Sequence, residues 1–370
     1  MRLPFTLGIR SGIFVLCALA SLICGGILVV TAAGVARTVT DRESTTILRV
    51  LGDEVARQLA RSLYVQWREL EGLVRFAQST PDRDTLRLRL DTIAALNERY
   101  AWIGVARPDG QVVVATGRNL EGESVAQRPW FRAGLQGPFA GDVHEAVLLQ
   151  RLIAPNAAEP LRLIDFAAPL RRADGTITGV IGSHVAWSAV REVVREALQD
   201  TGRDVLLVSR EGTVLIGPPD LEGRNLSLPS ILAARQGATR SGVETWPDGE
   251  AYVTAVIAPI AYRNLPSFGW SLVLRQRADA AAAPARAITQ RLGLSFIAVA
   301  AVALCGSLVL GAAVARPLRR LRNAATALAD GSLDGPVPDL RGYSEVRAIA
   351  DSLARLQAQL PDRMRADAPR

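Results

Sequence analysis

The chain has no lysine; all 43 of its basic side chains are arginine. It is also poor in histidine and cysteine, with two and three respectively in 370 residues. Cys17, Cys24 and Cys305 all fall inside two long apolar runs. The segment between those runs therefore has neither a disulfide framework nor a thiolate metal site, and an ordinary apolar core must stabilise it. No Gly-x-Ser-x-Gly elbow, His-Glu-x-x-His pair or P-loop occurs, and no cysteine nucleophile lies outside the apolar runs. No enzyme is expected, and no cofactor. The net charge of +7 invites a nucleic-acid reading. The arginines, however, are scattered among acidic residues rather than gathered on one element, so nucleic acid is not an expected partner.

What the chain has in excess is apolar residues, 49% of the total. Ser11–Ala36 and Leu292–Ala315 contain no charged residue. Each exceeds the roughly 20 residues that cross a hydrocarbon core as a helix. Two transmembrane helices are expected, over 11–36 and 290–315. Gly34-Val35-Ala36 resembles a cleavage site, but a signal-peptide core of about 7–15 apolar residues is much shorter than this run. Arg2 and Arg10 precede the first span, and Arg316, Arg319, Arg320 and Arg322 follow the second. The positive-inside rule then places both termini in the cytoplasm and 37–286 outside.

Ile47, Leu51, Val55, Leu59, Leu63, Trp67, Leu70 and Val74 recur at helical spacing, predicting a long amphipathic helix over 44–76. Strand–turn–strand signals follow. Arg107-Pro108-Asp109-Gly110 separates two β-rich runs, and Arg171-Arg172-Ala173-Asp174-Gly175 separates Leu161–Leu170 from Thr176–Ala186. A helix is expected over Trp187–Gln199. The pattern then restarts: Gly110-Gln111-Val112-Val113-Val114 parallels Gly212-Thr213-Val214-Leu215-Ile216, and Leu120-Glu121-Gly122 parallels Leu221-Glu222-Gly223. Two copies of one α/β unit are the economical reading, about 80–200 and 201–277.

Beyond the second span, Leu318, Leu321, Ala325 and Leu328 step by three and four, as do Val346, Ile349, Leu353, Leu356 and Leu360. Two short heptad stripes joined by the Gly/Pro/Asp-rich connector Gly331–Tyr343 bury themselves best in a dimeric four-helix bundle, so a homodimer is expected. Residues 362–370 form a short polar tail with no room for an output domain. A separate cytoplasmic effector is therefore expected, of the kinase, cyclase or chemotaxis type.

A long helix, two tandem PAS-like antiparallel-sheet modules and a helix re-entering the membrane resemble the double-Cache sensor domains of bacterial receptors. The residues that carry the likeness are Arg128-Pro129-Trp130-Phe131, Gly141-Asp142-Val143-His144 and Gly179–His184. Residues 316–361 are similar to a HAMP linker, on Pro317 just inside the membrane, Gly331 in the connector and Glu345 at the second helix. Together these imply an α+β fold flanked by two transmembrane helices and followed by a HAMP-like helical pair. They also imply a bacterial inner-membrane receptor with its sensor in the periplasm.

The resemblance implies a ligand site in the membrane-distal module. In relatives that bind amino acids, an Arg and a neighbouring Trp at a helix start hold the ligand carboxylate, as Arg128 and Trp130 would here. Phe131 stands where those relatives commonly carry Tyr, and His184 where they often carry an Asp for the ligand's ammonium. A histidine supplies no permanent negative charge, so a carboxylate or other small metabolite is the expected ligand. Asp142, His144 and Asp165 are further candidates. A metal held by His144, Asp142 and His184 is the less favoured alternative. A scaffold that recognises a protein or the envelope is the competing reading, with a membrane-anchored enzyme behind it.

Overall fold

The apolar stripe over 44–76 and the first apolar run lie on one uninterrupted helix, α1 (Ile9–Ser79). The computed structural model describes residues 9–79, 82–156, 159–197, 202–330, 336–338 and 344–366. The chain divides into two units, Val39–Ala283 and Met1–Thr38 together with Pro284–Arg370.

Within Val39–Ala283, α2 (Arg83–Leu96) starts at Asp82, whose carboxylate accepts from the Asp84 and Thr85 amides and so satisfies two of the free N–H groups at a helix start. There follow β1 (Tyr100–Ala106), β2 (Val112–Ala115), α3 (Pro129–Gln136), β3 (Phe139–Glu145), α4 (Val147–Ile153), β4 (Arg162–Arg171), β5 (Ile177–Ala186) and α5 (Trp187–Ala197). A second set comprises β6 (Asp204–Val208), β7 (Val214–Ile216), α6 (Pro229–Arg235), β8 (Arg240–Thr245), β9 (Ala251–Ile257), β10 (Ser271–Arg277) and the single turn α7 (Ala278–Ala281). The five-stranded sheets run β2-β1-β5-β4-β3 and β7-β6-β10-β9-β8, the same order of corresponding strands, so the internal repeat extends to topology. Both β1–β2 and β6–β7 turns place glycine at positive φ, Gly110 at 90° and Gly212 at 91°. Both α3 and α6 open with proline, Pro129 and Pro229, where a missing N–H costs nothing.

Each sheet packs against other elements on both faces. One face packs on α1 in a shared core: Leu59, Leu63, Trp67 and Leu70 meet Ile164, Phe166 and Ile181 of the first sheet. Leu48 belongs to the same core as Leu272 and Leu274 of the second. The opposite faces carry separate cores, around Trp102, Trp130, Phe131 and Leu163 under α3, and around Leu206, Ile231, Trp246 and Val273 under α6.

The sequence reading omitted α2, α4 and α6 and the edge strands β3 and β8, and had α3 only as the helix start that the resemblance implies at Arg128. β8 reads Arg-Ser-Gly-Val-Glu-Thr and buries none of these residues, the polar composition expected of a guarded sheet edge and a weak strand signal. The expected helix over Trp187–Gln199 is α5, and residues 198–199 lie outside the described residues.

In the other unit, α8 (Ala283–Ala329) carries the second apolar run and continues through Pro317, and α9 is Ser344–Ala366. α1 and α8 are both long and apolar enough to cross a membrane. Their large apolar side chains, such as Leu16, Leu22, Val30, Val302 and Val309, are exposed, which suits a lipid solvent rather than water. Leu321, Val346 and Ala350 bury against one another, with Leu318 and Leu353 beside them. Ile349 and Leu356 of the same stripe stay exposed. Val337 of the connector donates its amide to Gln357 Oε1 at 3.1 Å.

Candidate functional site

The face of the first sheet under α3 holds a compact polar cluster in an aromatic setting. Asp165 lies on β4 and pairs in register with His184 on β5, which in turn pairs with Trp102 on β1. Alternation along the strands sends all three to the α3 face, while Ile164, Phe166, Ile181 and Val185 point to α1. Trp130 and Phe131 descend from the first turn of α3 and are buried.

Two glycines clear the sheet surface for the indoles. A Cβ at Gly182 would lie 2.5 Å from the Trp130 ring, and one at Gly104 would lie 2.2 Å from the Trp102 ring. In the space so made, the His184 imidazole stacks on Trp102, with centroids 5.0 Å apart and planes at 28°. It meets Trp130 edge-on at 5.7 Å. Trp102 Nε1 is anchored by donating to Asn119 O at 2.9 Å.

His184 Nδ1 stands 2.6 Å from Asp165 Oδ1. A carboxylate only accepts, so Nδ1 carries the hydrogen and donates it. Both residues are nearly closed off, His184 at 8% exposure and Asp165 at 5%. His144 approaches the other oxygen, its Nδ1 3.7 Å from Asp165 Oδ2, and donates to Asp142 O at 3.3 Å. The His144 side chain is 42% exposed and forms the open side of the cluster. The sheet thus brings together Trp130, Phe131, His144, Asp165 and His184.

It separates Asp142 from them. In the β3–β4 ladder Gly141 pairs with Asp165 and His144 with Leu163, so three steps on β3 oppose two on β4. This bulge reverses the alternation: Gly141 and His144 share a face, and Asp142 takes the other. There its Oδ1 accepts from Val143 N and from Trp270 Nε1, both at 2.7 Å. Burial pushes the Asp142 carboxyl above the usual carboxylate range, partly offset by these hydrogen bonds.

Arg128 is the residue before α3, exposed, and caps nothing with its side chain. Among the described residues its guanidinium has no ion-pair or hydrogen-bond partner. No three His, Cys, Asp or Glu among the described residues stand ready to hold a metal ion.

The sequence reading gave no site role to Trp102, Gly104 or Asn119, nor to Gly182 within the Gly179–His184 segment. Trp102 lies in the β-rich run before Arg107, with no further mark in the sequence; the glycine two residues from it is the signal that its ring lies flat along the sheet.

In the relay, Pro317 lies within α8, Gly331 falls outside the described residues, and Glu345 sits in the first turn of α9. Its own amide and the Ser344 hydroxyl hold the Glu345 carboxyl below the usual carboxylate range.

Comparison with known proteins agrees with this architecture. The Cache domain family profile (dCache type) matches residues 34–285, and the HAMP domain profile matches 309–360. Among solved structures, the ligand-binding domain of the Pseudomonas aeruginosa amino acid chemoreceptor PctB, in complex with L-Arg, is 17% identical with a TM-score of 0.50. That match covers 65% of this chain and 98% of the PctB domain. The ligand-binding domain of the Campylobacter jejuni chemoreceptor Tlp3, in complex with L-norvaline, is 11% identical with a TM-score of 0.51. It covers 66% of this chain and 95% of the Tlp3 domain. No curated protein sequence matches the chain.

Proposed function

We propose that this chain, which belongs to the Cache domain family and carries a HAMP domain, is a two-pass inner-membrane receptor for a small carboxylate and acts as a sensor rather than an enzyme. Both termini face the cytoplasm and the Cache domain faces the periplasm, in keeping with the flanking arginines. The ligand site is the α3 face of the first module, and the output goes to a separate cytoplasmic partner.

The observation that carries this reading is the arrangement of charge around α3. Arg128 is exposed one residue before the helix and has no partner among the described residues, whereas Asp165 is already engaged by His184 at 2.6 Å. The free charge is therefore positive. A planar guanidinium matches a carboxylate in two parallel hydrogen bonds, whereas the buried carboxylate of the cluster is already held by His184. The partly exposed His144 marks the side from which a ligand enters.

The exposed Ile349 and Leu356 of α9 support a homodimer in which a second HAMP pair covers them. Binding would then shift the packing of these helices by about 1–2 Å, the scale of interface helix movements in switches.

One observation favours a second reading, a scaffold that recognises a protein or envelope component: the Trp102–Trp130–His184 cluster is filled by the chain's own side chains. A thermal-shift screen of residues 37–286 against carboxylates, amines, purines and sugars separates the two. A ligand at 100 times its dissociation constant adds about 2.7 kcal/mol, or several degrees at ~2–4 °C per kcal/mol for this size. A carboxylate hit lost in Arg128→Ala supports the receptor reading. A hit that Arg128→Ala leaves intact refutes the site, and no hit at all favours the scaffold.

A further inference from the structure

The α6 face of the second module holds a counterpart of the first module's cluster. Arg275 on β10 is 5% exposed. Its guanidinium lies 4.4 Å from the centroid of the Trp246 ring and 4.2 Å from that of Tyr252. Its Nε donates to Asp204 Oδ2 at 2.9 Å.

The register shows that the position is the same in both sheets. In the first, Ala106 precedes the hairpin turn and pairs with Val180; four residues back, Trp102 pairs with His184. In the second, Val208 precedes the turn and pairs with Ser271; four residues back, Asp204 pairs with Arg275. His184 and Arg275 therefore occupy equivalent points on the central strand. Each is a basic side chain between aromatic rings with a carboxylate at hydrogen-bond distance. Aromatic faces attract cations, most strongly when water is excluded, which accounts for the recurrence of the cage.

The two modules differ in one chemical respect. A guanidinium keeps its proton at any physiological pH, whereas histidine is the side chain whose charge changes between about pH 5 and 8. We propose that the His184–Asp165 pair is a proton-operated switch in the first module, closed when His184 carries its second proton and loosened when it loses it, while Arg275 holds the second module permanently closed.

With both ring nitrogens protonated, His184 is a cation in an aromatic cage, balanced by Asp165. Losing the proton leaves the carboxylate as a buried charge facing a neutral ring, an arrangement that favours water entry or displacement of the imidazole. The groups that face His184 are known for each element packed on it: Asp165 from β4, His144 from β3, and the uncharged Trp102 and Trp130 from β1 and α3. His144 approaches the same carboxylate at 3.7 Å but is exposed and stands outside the cage. The switch needs no organic ligand and stands whether or not the α3 face binds one.

Full-length protein in lipid nanodiscs, titrated from about pH 5 to 8 and followed by tryptophan emission, tests the switch, because protonated imidazole quenches a stacked indole and the ring sits on Trp102. The wild type is expected to show one sigmoidal transition, retained in His144→Gln and absent from His184→Arg. Arginine is the informative replacement, since it keeps a fixed positive charge and is the residue at the equivalent point of the second module. His184→Gln provides a neutral control and is expected to be equally flat. A wild type without a transition, or a His184→Arg variant that keeps it, overturns the proposal. Loss of the transition in His144→Gln with its survival in His184→Arg would assign the response to the exposed histidine instead, and equally overturn it.

Discussion

Trp270 Nε1 donates to Asp142 Oδ1 at 2.7 Å, joining the edge strand of the first sheet to the start of the central strand of the second across 128 residues. The indole is 2% exposed and stacks on Phe268 at 4.3 Å, so the bond lies at the margin of the core shared by both modules.

This contact makes stability depend on pH in a definite direction. Burial raises the Asp142 carboxyl, so the folded state favours its neutral form. The stability associated with that form is present at low pH and is lost as pH rises through the folded value. Asp142→Asn keeps an acceptor for Trp270 without the charge. Its melting temperature relative to wild type should therefore be higher at about pH 7 than at about pH 3.5, where the native carboxyl is itself largely neutral. Asp142→Ala leaves the indole N–H unpaired and should cost about 1–3 kcal/mol. Denaturation curves of the three proteins at both pH values provide the check.

Gly182 keeps the cage open to Trp130. In Gly182→Ala the new methyl would fall 2.5 Å from the ring. The ring cannot yield without moving against His184 and Phe131, so a loss of about 1–3 kcal/mol is expected. A shift of tryptophan emission should accompany it. A melting temperature equal to wild type would show that the ring has more freedom than its contacts indicate.

Arg275→Lys should not be conservative. Lysine retains the charge but neither the planar face that stacks between Trp246 and Tyr252 nor the fork that reaches Asp204. A loss of about 1–2 kcal/mol is expected, with a larger one for Arg275→Ala, which also empties the space between the rings. Urea denaturation read by circular dichroism distinguishes these outcomes from indifference.

Gly25 sets the approach of the two spans. A Cβ there would lie 1.7 Å from the Phe296 ring, the close contact that small residues permit between membrane helices. Gly25→Leu should lower thermal stability in detergent, and adding Phe296→Ala should restore part of it because the two volumes exchange. Additive losses in the double variant would mean that the pair does not pack as described.

The membrane spans, the amphipathic stretch of α1, the repeat and the HAMP stripes were all legible in the sequence. Each is a local periodicity or composition signal sustained over many residues, such as Ser11–Ala36 without a charge. The short elements were not. α3 is eight residues long and opens with Arg-Pro, and β3 mixes Gly, Asp and His. Neither has enough turns or alternations to stand out, and both owe their place to the sheet they pack on or extend.

The candidate site divides in the same way. Arg128, Trp130, Phe131, His144, Asp165 and His184 could be named from the chain, but their relations could not. Asp142 and His144, two residues apart on a strand, belong on one face by alternation. The bulge opposite Asp165 puts them on two, one toward Trp270 and the other toward the cage. Likewise, Arg275 drew no notice as one arginine among 43, until strand register placed it at the point that His184 occupies in the other sheet. The sequence alone determined the number of spans, the two copies and the helical relay, because solvent preference and local period act residue by residue. The tertiary structure decided which charged side chains meet and which rings enclose them, because pairing across strands is set by long-range register that no local pattern carries.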